Sequence, residues 1–259
     1  MNKFITALTL LLVAIQTTHA LTPQEIADKA ASIAYYQGDS GKARATMEIK
    51  DSQDRIRERK LVILRRDKAD LGQQEFYVYF EAPSDVYQTT FLVHKNPDGD
   101  DDRWLYLPAL DLTRRIAASD ERTSFVGSHF YYEDVSGRSP NEDTHELVEE
   151  SETYYVLKST PKAPGKVEFA SYKSWIHKKT FLAVKTEYTN AQGKVYRTYE
   201  AAKVGKIDGF TTVTEARMTD LERGGSTTLR YEDVQYNLPF DDSIFTERAL
   251  RSPPMEYLK

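Results

Sequence analysis

Residues 42–50 read KARATMEIK, and polar and apolar side chains alternate along them. Ala45, Met47 and Ile49 fall on one face of an extended chain, and charged or hydroxyl side chains fall on the other. A period of two is typical of a β-strand, because successive side chains point to opposite sides of a sheet. The stretch therefore predicts a strand that buries one face and leaves the other in solvent.

The same alternation recurs in ten further segments, which are separated by turn-forming residues such as Asn96-Pro97-Asp98-Gly99 and Asp208-Gly209. These segments are residues 55–66, 73–81, 87–95, 102–107, 154–160, 167–176, 181–190, 194–202, 211–220 and 226–236. Short hairpins without intervening helices favour an antiparallel sheet, and a sheet of about eleven strands must curl or close. We therefore predict a mainly β (α+β) fold, built as a barrel or half-barrel.

Two helices are expected outside the strands. Residues 22–25 read TPQE, in which threonine can cap a helix, proline fits its first position and glutamate reaches back to the cap. An apolar stripe follows over residues 26–34, and Gly38 predicts that this helix ends at residue 36 or 37. It would plug one side of the sheet or act as a lid. Residues 241–250 predict a second, short helix, with the ordered chain ending at Pro253-Pro254.

The first twenty residues have the composition of a secretory signal, with an early lysine, an apolar core and small residues before Leu21. The apolar core of about a dozen residues is shorter than the roughly 20 of a membrane-spanning helix. We therefore predict an exported protein with a single domain over residues 21–259. The chain contains no cysteine, which excludes disulfides and thiolate metal sites. For the same reason, we expect no acyl anchor on an amino-terminal cysteine.

The sequence carries no recognisable catalytic or cofactor-binding pattern. The formal net charge of −5 argues against nucleic acid as a partner, and no HExxH, GxSxG, GxGxxG or GKS motif occurs. The acidic run at residues 98–102 lacks the later glycine and glutamate of a calcium loop. His129 and Glu133 would lie about 13 Å apart in an extended segment, too far to share one ion with Asp134. We expect no enzyme activity, no cofactor and no metal.

The segment Trp104–Arg138 is dense in aromatic, arginine and acidic residues, which indicates a binding surface. Its LYLP, RRI, SFVGS and YED motifs resemble the LolA-like family of outer-membrane lipoprotein-sorting proteins. The resemblance extends to Trp175-Ile176 and to the DSIF motif at residues 242–245, and it is to the longer members of the family. Relatives often carry an aspartate where this chain has His129.

The resemblance implies an incomplete antiparallel barrel closed by helices, with an apolar cavity that takes up acyl chains in transit between two membranes. It also implies a periplasmic location and the absence of a catalytic step. An inner-membrane transporter of the ABC or RND type would load the carrier, an outer-membrane acceptor would unload it, and contact with membranes would be transient. Either a lipoprotein or a free lipid fits as cargo.

Two features of the sequence fit more than one reading. The many aromatic residues suit either a filled barrel or an unfilled apolar cavity. Arg114 and Arg115 could contact an anionic headgroup or a partner, or make ordinary surface ion pairs. A filled barrel would favour an accessory protein that docks an RND-type exporter or another envelope complex. For the carrier, alternation predicts these lipid-facing residues: Met47, Ile49, Leu61, Ile63, Phe76, Val78, Phe91, Val93, Trp104 and Tyr106.

Overall fold

The computed structural model describes residues 20–69 and 71–259. The predicted secretory signal therefore lies outside the described residues, except for Ala20. In the described part of the chain, thirteen strands form one antiparallel sheet. Their bounds are β1 Ser40–Lys50, β2 Ile56–Asp67, β3 Gln74–Ala82, β4 Thr90–Lys95, β5 Asp102–Leu107, β6 Leu112–Ile116, β7 Asp143–Glu150, β8 Tyr154–Pro161, β9 Ser171–His177, β10 Ala183–Thr189, β11 Val195–Ile207, β12 Phe210–Asp220 and β13 Ser226–Tyr236.

The strand order is β6-β5-β4-β3-β2-β1-β13-β12-β11-β10-β9-β8-β7. Most neighbours are consecutive along the chain, and the pairing of β1 with β13 joins the first half of the sheet to the second. The edge strands β6 and β7 do not pair with each other, so the sheet remains an incomplete barrel with a concave and a convex face. The predicted fold class is confirmed, and the assignment of residues 21–259 to a single domain stays a prediction.

The two edge strands are the ones that alternation did not predict. Nearly the whole length of β7 is exposed, and most of β6 is exposed as well. An edge strand at the rim of a curved sheet buries little of either face, so its sequence has no reason to alternate. This is why thirteen strands are present where about eleven were expected.

Four α-helices accompany the sheet, and the chain forms ordered turns beyond its predicted end. Their bounds are α1 Pro23–Tyr35, α2 Tyr132–Ser136, α3 Glu247–Arg251 and α4 Met255–Leu258. The predicted helix at residues 241–250 is a 3₁₀ turn followed by α3, and α4 follows Pro253-Pro254, so the expectation that order ends there is wrong. No helix within residues 20–69 and 71–259 is both long and apolar enough to cross a membrane.

The carboxyl-terminal segment covers the convex face of β2 to β5. Its buried side chains pack against residues of those strands that point away from the concave side. Burial of this apolar area stabilises the sheet. The concave face of the same strands carries a separate cluster of buried apolar residues. The residues that meet are Val62, Leu64, Tyr77 and Leu92 from the sheet and Ile244, Phe245, Leu250 and Leu258 from the terminus.

Helix α1 begins as its sequence predicts. The Thr22 hydroxyl accepts from the Glu25 backbone N–H at 3.2 Å, and the Glu25 carboxylate accepts from the Thr22 backbone N–H at 2.7 Å. The helix then lays its apolar stripe, including Ile26 and Ala30, against Leu157 of β8 and Ile176 of β9. The predicted plug on one side of the sheet is therefore present.

Thr22→Ala should lower the free energy of unfolding by about 1 kcal/mol, because it removes the side chain that satisfies a helix N–H group. For a chain of this size, that corresponds to a fall of roughly 2–4 °C in the melting temperature, measurable by calorimetry. Thr144→Ala is a matched control, since Thr144 is exposed on β7 and does not cap a helix. Equal shifts in the two variants would contradict a capping role for Thr22.

Candidate functional site

A cavity of about 420 Å³ lies on the concave side of the sheet, between the strands, α1 and the segment 125–140. This volume is within the range of roughly 300–1,000 Å³ that is usual for small-molecule sites. The cavity has walls of different chemistry. One is apolar and comes from β1 to β3, β12 and β13, and the other carries hydroxyl groups and comes mainly from β8 to β11.

The apolar wall contains half of the residues that were predicted to face lipid. They are Met47, Leu61, Ile63, Phe76 and Val78. These residues fall on the concave side of β1, β2 and β3, as alternation predicted, although β2 also carries Arg59 and Arg65 on that face. Val213, Ala216, Met218 and Leu229 extend the same wall onto β12 and β13. Whether these residues contact lipid stays a prediction.

Three further predicted residues, Ile49, Phe91 and Val93, lie on the concave face but do not line the cavity. The segment after β6 covers this part of the sheet, and its aromatic side chains fill the space. The ring of Phe91 lies 5.4 Å from that of Phe125 and 5.2 Å from that of Tyr132, measured between ring centroids. This end of the concave face is therefore packed, and the cavity begins beyond it.

The last two predicted residues, Trp104 and Tyr106, lie on the opposite face of the sheet. They pack against the carboxyl-terminal segment, and Leu105 and Arg103 point to the concave side instead. Alternation failed in β5 because the inward position is an arginine that is only 2% exposed. Its charge is balanced there by Asp101 at 2.7 Å and Glu121 at 2.6 Å. The assignment of Trp104 and Tyr106 to the concave face is wrong.

Arg114 and Arg115 lie on the edge strand β6, away from the cavity lining. Arg114 pairs with Asp120 at 3.1 Å, Arg115 pairs with Asp102, and both guanidinium groups are largely exposed. These are the ordinary surface pairs that the sequence also allowed, and such pairs contribute little to stability. A role in contacting a headgroup or a partner stays a prediction for both residues.

In the structure, the side chains of His129, Glu133 and Asp134 each bind a different partner. His129 shares a hydrogen bond of 2.8 Å with the Thr227 hydroxyl, and Asp134 pairs with Arg197. Glu133 is bound by arginines instead of facing the histidine. Each of the three side chains thus has its own partner.

A buried ion network holds the segment that covers the cavity. Glu133 of α2 accepts from both Arg122 and Arg138, and Arg138 also donates to Asp143 at the start of β7. Arg122 makes two further bonds to Glu168, at 2.7 and 2.9 Å. Paired charges of this kind can remain buried, whereas an unpaired one is strongly unfavourable. The network ties α2 to the second half of the sheet and so fixes one wall of the cavity.

Lys95 is a second buried charge beside the cavity, at the end of β4. Its Nζ donates to the Ser136 carbonyl at 2.7 Å and lies 5.3 Å from the ring centroid of Tyr35. Burial lowers the pKa of Lys95 to about 8, and Asp101 opposes that shift only in part. In the unfolded chain, the lysine keeps its ordinary pKa near 10.4.

Lys95 should therefore make the protein more stable as the pH rises above about 8. Between the folded and the unfolded pKa, the unfolded chain holds one more proton, so the free energy of unfolding increases with pH. From pH 7.5 to 9.5, wild type should gain about 2 kcal/mol relative to Lys95→Met, as measured by urea denaturation. Lys173→Met, at an exposed lysine, is the control and should follow wild type. A Lys95→Met curve parallel to wild type would contradict the shift.

The geometry of this half-barrel is shared with solved structures. A DUF1329 family protein from Desulfovibrio piger is 24% identical, with a TM-score of 0.80 over 89% of this chain and 100% of its own. A candidate outer membrane lipoprotein-sorting protein domain from Vibrio parahaemolyticus is 25% identical, with a TM-score of 0.79 over 88% of this chain and 98% of its own. A LolA superfamily protein from Nitrosomonas europaea is 21% identical, with a TM-score of 0.68 over 88% and 99%.

The class of the molecule is thus that of the LolA-like half-barrels, and the resemblance predicted from the sequence motifs is confirmed. A family model described as "Uncharacterized protein" matches residues 72–252, and the chain belongs to the family that this model describes. No curated protein matches the chain in sequence. The matched region includes β3 to β13 and the segment over the cavity.

Proposed function

We propose that the protein is a periplasmic carrier that binds acyl chains of lipoproteins or lipids in its concave cavity. It would move them from the inner to the outer membrane without a catalytic step. The observation that supports this proposal is the cavity itself, with a continuous apolar wall that includes Met47, Leu61 and Phe76. A barrel filled with side chains, as the accessory-protein alternative requires, would leave no space of this size.

The energetics of acyl binding suit such a task. Burying an acyl chain contributes about 0.8 kcal/mol per methylene, so one long chain offers ~10 kcal/mol. A carrier must also release its cargo, so part of this free energy has to be offset by the cost of opening the cavity. Helix α1 is the element placed for this, because it closes one side of the cavity with small side chains such as Ala27, Ala30 and Ala31.

We infer the route of the cargo from the family resemblance. An inner-membrane transporter of the ABC or RND type would load the carrier, and an outer-membrane acceptor would receive the cargo. Contact with either membrane would be transient, and we expect no nucleic-acid partner. The location in the periplasm rests on the predicted secretory signal and on the family resemblance.

Native mass spectrometry of the protein, purified from its own periplasm and followed by lipid extraction, tests this proposal. A carrier in transit should carry a bound acyl species, whose mass names the cargo class. Uptake of a dansyl-labelled fatty acid by the purified protein is the second measurement. A clean unliganded mass together with no uptake of the dansyl probe would refute the carrier and favour the accessory-protein alternative.

A further inference from the structure

A group of tyrosines lines the cavity where the apolar wall meets the hydroxyl-bearing wall. Tyr188 lies on β10, Tyr199 on β11 and Tyr231 on β13, and Tyr35 at the end of α1 faces them. All four side chains line the same cavity, and the pKa of Tyr35 is raised first by burial and then by Asp134, Tyr199, Tyr188 and Tyr231. We call these four residues the tyrosine cluster.

Most other polar groups of the cavity wall have partners within the protein. The Tyr172 hydroxyl donates to Asp143 at 2.8 Å. Ser159 bonds to the His145 ring at 2.8 Å. Ser174 and Thr186 share a hydrogen bond of 3.1 Å. These groups need nothing from a ligand.

The tyrosine cluster is different. Among residues 20–69 and 71–259, the hydroxyls of Tyr188, Tyr199 and Tyr231 make no hydrogen bond, and that of Tyr35 makes only one of 3.5 Å to the Asp134 carbonyl. These oxygens are not fully buried, because none of them belongs to the buried side-chain atoms that lack a hydrogen-bond partner. Each side chain keeps some accessible area, and that area opens onto the cavity.

The hydroxyls are available as donors over the whole physiological pH range. Burial raises the pKa of Tyr188 and of Tyr231 to about 12, and that of Tyr199 further, so all three stay protonated. An enclosed hydroxyl without a partner is unfavourable, and native proteins satisfy such groups with protein, water or ligand. Three such donors in one cavity are therefore available to a ligand that brings acceptor oxygens.

We propose that the tyrosine cluster binds the carbonyl oxygens of a neutral acyl ester, whose hydrocarbon chain lies along the apolar wall. This inference rests on the proposed function and narrows its cargo. A neutral ester fits this site because the hydroxyls donate hydrogen bonds without carrying a charge, and Asp134 beside them is already paired with Arg197. An ester carbonyl accepts such hydrogen bonds and brings no charge that would need a partner.

The ligand would lie with its ester near β10, β11 and β13 and its chain toward Met47, Leu61 and Phe76. Tyr231 is directly opposite Ala45 in the register of β13 and β1, so the cluster adjoins the apolar wall without a gap. An ester-linked chain can come from a free lipid or from an acylated lipoprotein. The mass of the species that co-purifies with the protein distinguishes these two sources.

The test compares methyl myristate with pentadecane, two ligands of similar length of which only the first has acceptor oxygens. Each displaces a dansyl-labelled fatty acid from wild type, from Tyr199→Phe, from Tyr231→Phe and from the double variant. The double variant should bind the ester about tenfold more weakly and the alkane as wild type does. Each single variant should show a smaller loss for the ester alone. Tyr87→Phe, at a half-exposed tyrosine outside the cavity, should change neither affinity.

The substitutions are mild, because each removes one hydroxyl that has no partner in the protein. The unliganded variants should therefore unfold at the same temperature as wild type or slightly above it. Unchanged ester affinity in all three tyrosine variants overturns the inference while leaving the carrier proposal intact. Failure of wild type to bind the dansyl probe, the ester and the alkane overturns the carrier proposal itself. An equal loss of both ligands in the single variants shows that the hydroxyls shape the cavity without recognising an ester, and also overturns the inference.

Discussion

Glu133→Ala is expected to lower the free energy of unfolding by about 3 kcal/mol, since it breaks a buried network of charges. Glu133 is only 4% exposed and accepts hydrogen bonds from Arg122 and Arg138. Both guanidinium groups are themselves mostly buried. Each would lose one of its carboxylate partners at a place where water cannot solvate the charge instead. Arg122 keeps Glu168 as a partner and Arg138 keeps Asp143. We therefore expect a loss of stability at the lower end of the range for broken buried ion pairs.

The same substitution should also weaken acyl binding. Asp134 and Val135 follow Glu133 in α2 and line the cavity, so a loosened helix disturbs one of its walls. Urea denaturation gives the change in stability, and titration with the dansyl-labelled fatty acid gives the change in affinity. Glu146→Ala removes a glutamate that is exposed on β7, and should alter the free energy of unfolding by no more than about 0.5 kcal/mol. Similar losses in the two variants would argue against the network as the element that holds the cavity wall.

The direction of the side chains in β1 was predictable from the sequence. Its alternating apolar residues, Ala45, Met47 and Ile49, are those that the fold turns toward the concave side, whereas β2 and β3 bury apolar side chains on both faces. Register follows from hydrophobic alternation when one face is buried and the inward residues are apolar. In β5, the inward Arg103 is paired with Asp101, which directly precedes the strand, and with Glu121, which follows β6, and the second pairing cannot be predicted from the strand alone.

Two features of the candidate site were harder to predict from the sequence, namely the open cavity and the tyrosine cluster. Whether a concave face is filled depends on the volumes of side chains that meet from distant segments, here Phe125 against Phe91 and alanines of α1 against β8. The tyrosine cluster is a similar case, since its members come from four separate elements. One signal did exist, because Tyr188, Tyr199 and Tyr231 each occupy an inward position of a predicted strand. Only the structure places their hydroxyls together and without partners.

Filling the cavity by Ala216→Trp should reduce the affinity for the dansyl-labelled fatty acid by more than tenfold. Ala216 lies on β12 and lines the cavity, so an indole at this position occupies space that an acyl chain would take. Displacing only two methylene groups removes about 1.6 kcal/mol of burial, which already exceeds the 1.4 kcal/mol of a tenfold change. The larger the part of the chain that the indole excludes, the greater the loss becomes.

The effect of Ala216→Trp on stability separates an open cavity from a filled one. An open cavity accommodates the indole, and the melting temperature should stay within a few degrees of wild type. A filled interior would be overpacked at a cost of roughly 1–3 kcal/mol, with a clear fall in melting temperature. Ala202→Trp makes the same substitution at an exposed position of β11, and should leave both affinity and stability near wild type. A stable Ala216→Trp variant that binds the probe as tightly as wild type would show that acyl chains bind elsewhere on the protein.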